Sequence, residues 1–124
     1  MKTLTELDIY KESLRLFLKV HPISLKLPKY ELYELGSQLR RSSDSVLTNI
    51  VEGYGRSTYK SDFLKFLIYS KASNLETIHH LEKLNALYPE YSDQFQELKQ
   101  DYDRLGAMIY KFIQYVTEKW NTNR

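Results

Sequence analysis

The 124 residues include no cysteine, only four glycines, three prolines and a single tryptophan. Without cysteine there can be no disulfide framework, no thiolate-ligated zinc and no thiol nucleophile. The scarce glycines and prolines fall largely between apolar-periodic segments, so long uninterrupted helices are expected rather than many short strands. No apolar run approaches the roughly 18 residues of a membrane span. The opening MKTLTELDIYKESLRL has neither the apolar stretch nor the small-residue cleavage site of a secretory leader, and a cytoplasmic location is expected. A dominant charge is missing as well. Eighteen basic residues against sixteen acidic ones leave a net charge of +2, too mild by itself to mark a nucleic-acid-binding protein. What the chain has in quantity is tyrosine, eleven in all, a residue suited to core edges and interfaces because one end is apolar and the other wet.

The length fits one domain spanning residues 1–124, with a core that needs no covalent staple. Apolar periodicity near 3.6 predicts four helices, at about 4–24, 29–54, 58–87 and 92–120. Thr5 is a candidate N-cap for the first and Ser92 or Asp93 for the fourth. Gly55 stands where the second should stop, and residues 121–124 should fray. Similar helix lengths and short connectors predict an all-α fold, an antiparallel up-down four-helix bundle.

The fourth helix has the clearest seam: Phe95, Leu98, Tyr102, Leu105, Ile109, Phe112, Val116 and Trp120 share one side. The first and third each carry two strips. On the first, Leu7, Tyr10, Leu14, Phe17 and Leu18 form the denser strip and are expected in the core. Ile9, Leu16, Val20 and Ile23 lie roughly opposite. On the third, Phe63, Phe66, Leu67, Ile78 and Leu81 are read as core, beside Leu64, Ile68 and Leu75. A monomeric bundle buries one stripe per helix. The second strips, Ile9, Leu16, Val20, Ile23, Leu64, Ile68 and Leu75, are therefore expected to contact other subunits.

The most informative segment is QLRRSSDSVLTNIVEGYGR, residues 38–56. Leu39, Val46, Ile50 and Tyr54 make its apolar side, and Gln38, Arg41, Ser45, Asn49, Glu52 and Arg56 line up on the other. A face that only needs wetting takes Lys and Glu, which are better helix formers than Ser and Asn, so this stripe is expected to do more. The segment resembles QxRRAAxSIPxNIAEGxGR, a signature of the small four-helix-bundle proteins encoded by intervening sequences in 23S ribosomal RNA genes. The matching residues are Gln38, Arg40, Arg41, Ser45, Asn49, Ile50, Glu52, Gly53, Gly55 and Arg56. Asp62, Phe63, Lys65, Phe66, Leu67, Ser73, Leu75 and Glu76 then follow the family's KKEFIRFLxxAxGSLxELE. Upstream, LDIYKESLRL and LPKYELYEL resemble its DLxVWxKSMEL and FPxxExYGL. Leu47 stands where the family often has proline, which should leave the second helix straighter, and Val51 where it usually has alanine. The resemblance implies a ring-like homo-oligomer, a pentamer in known members. It also implies association with RNA or DNA, since a similar protein is the accessory partner of a reverse transcriptase in diversity-generating retroelements.

Catalytic and metal chemistry find little support in the residues. Glu76 and His79 form one Glu-x-x-His pair, whereas di-iron bundles use two with further glutamates. Ser42, Ser43 and Ser45 have no histidine nearby to activate them, and Gly53-Tyr54-Gly55 lacks the rest of a phosphate loop. No catalytic residue, metal or cofactor is expected. The basic residues Arg40, Arg41, Arg56, Lys60 and Lys65, interleaved with Tyr54 and Tyr59, form a candidate nucleic-acid surface: arginine grips phosphate and tyrosine stacks on unpaired bases. The alternative is a protein-interaction scaffold that uses the same stripe for assembly.

Overall fold

The structure is a computed structural model that describes residues 2–120. The four expected helices are present as α1 (Asp8–Leu25), α2 (Leu35–Gly55), α3 (Lys60–Leu87) and α4 (Ser92–Lys119). Three 3-10 turns, Leu4–Glu6, Lys29–Leu32 and Pro89–Tyr91, fill the connections, and there is no strand among the described residues. The residues expected to fray, 121–124, lie outside the described ones. Each helix packs on two others, α1 on α2 and α4, and α3 on α2 and α4, around one core.

All four helices bury a seam that repeats every 3.5 residues. On α4 it is the one expected, with Phe95, Leu98, Tyr102, Leu105, Ile109 and Val116 buried. On α2 it runs Leu39, Ser43, Val46, Ile50, Gly53. On α3 it alternates steps of four and three through Phe63, Leu67, Ser70, Asn74, Thr77, Leu81 and Leu84. The middle of that seam is polar and largely paired: the Ser70 hydroxyl donates to the Val46 carbonyl at 2.7 Å, Thr77 to the Ser42 hydroxyl at 2.9 Å, and the Asn74 amide to the Tyr102 carbonyl at 2.9 Å, while the Asn74 Oδ1 has no partner among the described residues. Buried polar groups are tolerated when paired in this way.

On α1 the expected faces are inverted. Leu16 and Val20 are fully buried and Ile9 nearly so, in the core rather than toward another subunit. Ile23 is half-buried against the same core. Of the strip expected inside, Leu7 is buried, Tyr10, Leu14 and Phe17 are half-buried, and Leu18 is exposed. The true seam is Ile9, Ser13, Leu16, Val20, Ser24, and two serines within it conceal its period. They fit because their hydroxyls turn back onto their own helix, Ser13 onto the Tyr10 carbonyl and Ser24 onto that of His21. On α3, Leu64 likewise packs against the core, while Ile68 and Leu75 remain outside.

Two helix starts differ from expectation. Before α1, the Glu6 carboxylate accepts bonds from the Thr3 backbone N–H and hydroxyl, both at 2.8 Å, so Thr3 rather than Thr5 begins the helical chain. α2 starts at Leu35 instead of near Lys29 because Glu31 turns inward. It is 3% exposed, and its carboxylate accepts the Gly36 N–H at 3.1 Å, satisfying a donor that the first turn of α2 leaves free. Gly55 does close α2, but without a left-handed dihedral, since no described residue has positive φ.

Two glycines have a steric task against a fixed neighbour: Gly36, where a Cβ would lie 2.5 Å from the Glu31 carbonyl oxygen, and Gly53. A Cβ at Gly53 would lie 3.0 Å from the Phe66 Cβ and 3.4 Å from the Phe63 carbonyl oxygen, and neither can retreat without moving α3. Gly53→Ala should therefore lower the melting temperature, although alanine gains about 1 kcal/mol of helix propensity. A melting curve with an unchanged or raised midpoint would mean that α2 and α3 separate at little cost.

Candidate functional site

The polar stripe on α2 borders α3, and its middle differs from its ends. Ser45 and Asn49 are half-buried. The Ser45 hydroxyl meets that of Ser73 at 2.8 Å, and the Asn49 amide donates to the Ser45 carbonyl at 2.9 Å and to its hydroxyl at 3.0 Å. Here lies the reason for Ser and Asn where Lys and Glu would be better helix formers: the centre of the stripe is the crevice between two helices, where a long charged chain would not fit. Gln38, Arg41, Glu52 and Arg56 are exposed on either side of it.

The basic residues separate into engaged and free groups. Arg40 is engaged. Its guanidinium donates to the Ser24 hydroxyl at 3.0 Å and the Leu32 carbonyl at 2.9 Å, tying the end of α1 and the following turn to α2. Arg56 is braced by Glu52 at 3.9 Å and Asp62 at 3.8 Å, and lies 5.0 Å from the centroid of the Phe66 ring. Exposed pairs of this kind contribute about 0–1 kcal/mol, so Arg56 can exchange partners. Arg41, Lys60 and Lys65 have no ion-pair partner among the described residues. Lys60 is half-buried, and Arg41 and Lys65 are exposed.

The two tyrosines also divide. Tyr54 packs edge-on against Phe63 and donates its hydroxyl to the Lys2 carbonyl at 3.1 Å, so its ring is part of the core edge. Tyr59 is 69% exposed and open to stacking. The expected patch is thus not one cluster. Arg41 stands near the start of α2 and Arg56 at its end, a separation of about 22 Å at 1.5 Å per residue. Only an extended partner could touch both ends at once.

Three polar groupings escaped the sequence reading. Glu31 is one: besides Gly36 it accepts the Tyr88 hydroxyl at 2.5 Å, and Tyr88 in turn meets the Tyr30 hydroxyl at 2.6 Å. Burial, then the bond to Glu31, pushes the Tyr88 phenol well above its ordinary value. Asp101, 4% exposed, is the second; Arg15 at 3.5 Å, Lys19 at 3.4 Å and Arg104 surround it and clamp α1 to α4. Glu12 joins this group through two bonds from Arg15, which hold its carboxyl below the usual range. The third is Glu76, whose partner is the buried His80 at 3.1 Å and not His79. Glu76 lies outside the bundle, as its distance from the core strip implies. The serines weighed for catalysis donate inward, Ser42 to the Leu39 carbonyl and Ser43 to that of Arg40. Among the described residues no group of three or more His, Asp or Glu side chains is placed to hold a metal ion, and no helix is long and apolar enough to cross a membrane.

Comparison with known proteins places these features in context. A family model described as 23S rRNA-intervening sequence protein matches residues 5–111. The chain is similar to the crystal structure of a protein of unknown function from the S23 ribosomal protein family of Bacteroides thetaiotaomicron. The two are 19% identical, with a TM-score of 0.76 over 86% of this chain and 95% of that one. That likeness shows a common fold and no more. No curated protein matches the chain.

Proposed function

The chain belongs to the 23S rRNA-intervening sequence protein family, and we propose that it is a non-enzymatic, cytoplasmic, oligomeric binding protein acting on RNA or DNA, or beside an enzyme that does. The observation that carries this reading is the set of unpaired cations at both ends of the α2 stripe, Arg41 at one and Lys60 and Lys65 at the other, with exposed Tyr59 beside the second. Charges spread over that length suit a phosphate backbone better than a small ligand. Tyr59 adds a stacking face for an unpaired base. A reverse-transcriptase-like partner is consistent with the same surface. The test is titration with single- and double-stranded RNA and DNA at about 50 mM salt. Binding to at least one is expected. Silence from all four would reject the reading and leave a protein-interaction scaffold.

The assembly proposed with it is an antiparallel up-down bundle repeated in a ring-like homo-oligomer, such as a pentamer. Ile68 and Leu75, 54% and 69% exposed, lie one heptad apart on α3 with nothing covering them, and such a line is where another subunit would sit. Repetition would also turn a weak basic surface into a strong one. Ile68→Glu with Leu75→Glu should keep the helical circular dichroism and reduce the mass found by sedimentation equilibrium. An unmodified protein that is already monomeric at tens of micromolar would remove the oligomer from the account.

A further inference from the structure

Away from the α2–α3 stripe, the beginning of α1 and the end of α4 enclose an open cavity of about 940 Å³. Its floor and walls are apolar and aromatic: Leu7, Ile9, Met108, Phe112, Tyr115 and Trp120. The walls are held in place. The Trp120 indole N–H donates to the Ser57 carbonyl at 2.9 Å, its ring lies 5.0 Å from that of Phe63, and Tyr115 meets it edge-on at 6.4 Å. Three lysines, Lys2, Lys111 and Lys119, also line the opening. None has an ion-pair partner among the described residues. Two carboxylates, Glu6 and Asp8, share the lining, and the bonds from Thr3 hold the Glu6 carboxyl below its usual range, so the three lysines leave an excess of one positive charge at the opening. A concave, preformed, mostly apolar site with a few charges at one side is the usual form of a small-molecule pocket.

We propose that this cavity binds a small amphipathic anion, a carboxylate carried on an acyl chain. The chain would lie on Leu7, Ile9 and Met108, whose aliphatic surfaces suit a flexible hydrocarbon better than a rigid ring; methionine in particular adapts its shape. The carboxylate would sit among the lysines, which offer point charges rather than the bidentate fork that arginine presents to phosphate. This site is independent of the stripe and of nucleic-acid binding.

Trp120 is the only tryptophan in the chain, so tryptophan emission comes from the wall of this cavity. Dodecanoate below its micellar concentration should change that emission saturably while the circular dichroism stays constant. Dodecyltrimethylammonium, with the same chain and opposite charge, should bind markedly less well, and acetate not at all. Lys111→Ala with Lys119→Ala, both at exposed positions, should weaken dodecanoate about three- to tenfold. Equal binding of the cation, indifference to the two lysines, an unchanged Trp120 emission, or a loss of helicity at the effective concentration would each overturn the proposal.

Discussion

Replacing Leu16 and Val20 together with glutamate should abolish the fold. Both side chains are fully buried, on the face of α1 that meets α2 and α4. Removing a buried aliphatic side chain costs about 2–5 kcal/mol. Placing a carboxylate there without a partner costs several more, or forces it to take up a proton. Two such sites exceed much of the roughly 5–15 kcal/mol by which a domain is stable. Far-UV circular dichroism at 25 °C should show a largely unfolded chain. A double variant that stayed helical and lost only its oligomeric state would return this strip to the surface.

Glu31→Ala should be the most damaging change outside the apolar seams. It leaves the Tyr88 hydroxyl and the Gly36 N–H without their acceptor in a buried place, and frees the 3-10 turn from the start of α2. The loss should be about 2–4 kcal/mol, a fall of roughly 8–16 °C in melting temperature for a domain of this size. Glu31→Gln, which keeps an acceptor, should lose less. Tyr88 beside Glu31 and Tyr102 in the middle of α4 together set an alkaline limit. Tyr88 and Tyr102 are both raised above the ordinary phenol value, chiefly by burial. In the unfolded chain they would ionise near pH 10. The folded form thus holds protons that the unfolded form releases, and stability present below about pH 10 should decline as pH rises beyond it. Thermal melts that are flat from pH 9 to 11 would contradict this.

How far the sequence revealed these features depended on which residues occupy the seams. α4 was legible because large apolar side chains fill every seam position from Phe95 to Val116. α1 was misread for the opposite reason. Ser13 and Ser24 hold seam positions, while Leu14, Phe17 and Leu18 crowd the rim with a denser apolar strip, so counting hydrophobic residues selected the wrong face. The Ser70, Asn74 and Thr77 stretch of α3 blurred its period in the same way, since the hydrogen bonds that make those residues acceptable inside come from other helices. The stripe on α2 was visible as a pattern, but only the crevice formed with α3 explains Ser45 and Asn49. The engagement of Arg40 was hidden because its partners, Ser24 and the Leu32 carbonyl, lie in other segments. Glu31 and Glu34 look alike in LPKYELYEL, and folding alone distinguishes the buried one from the exposed one.

The central claim is that the free cations of this surface meet phosphate. Its most direct test is the salt dependence of binding for the unmodified protein and for Arg41→Ala with Lys60→Ala, followed by fluorescence anisotropy with the labelled nucleic acid bound best. Phosphate contacts release counterions, so affinity should fall steeply between about 50 and 200 mM salt. The double variant should bind every sequence more weakly and show a slope flatter by about one unit per lost contact in each binding subunit. A slope unchanged by the substitutions would contradict the account, because the phosphates would then be held elsewhere.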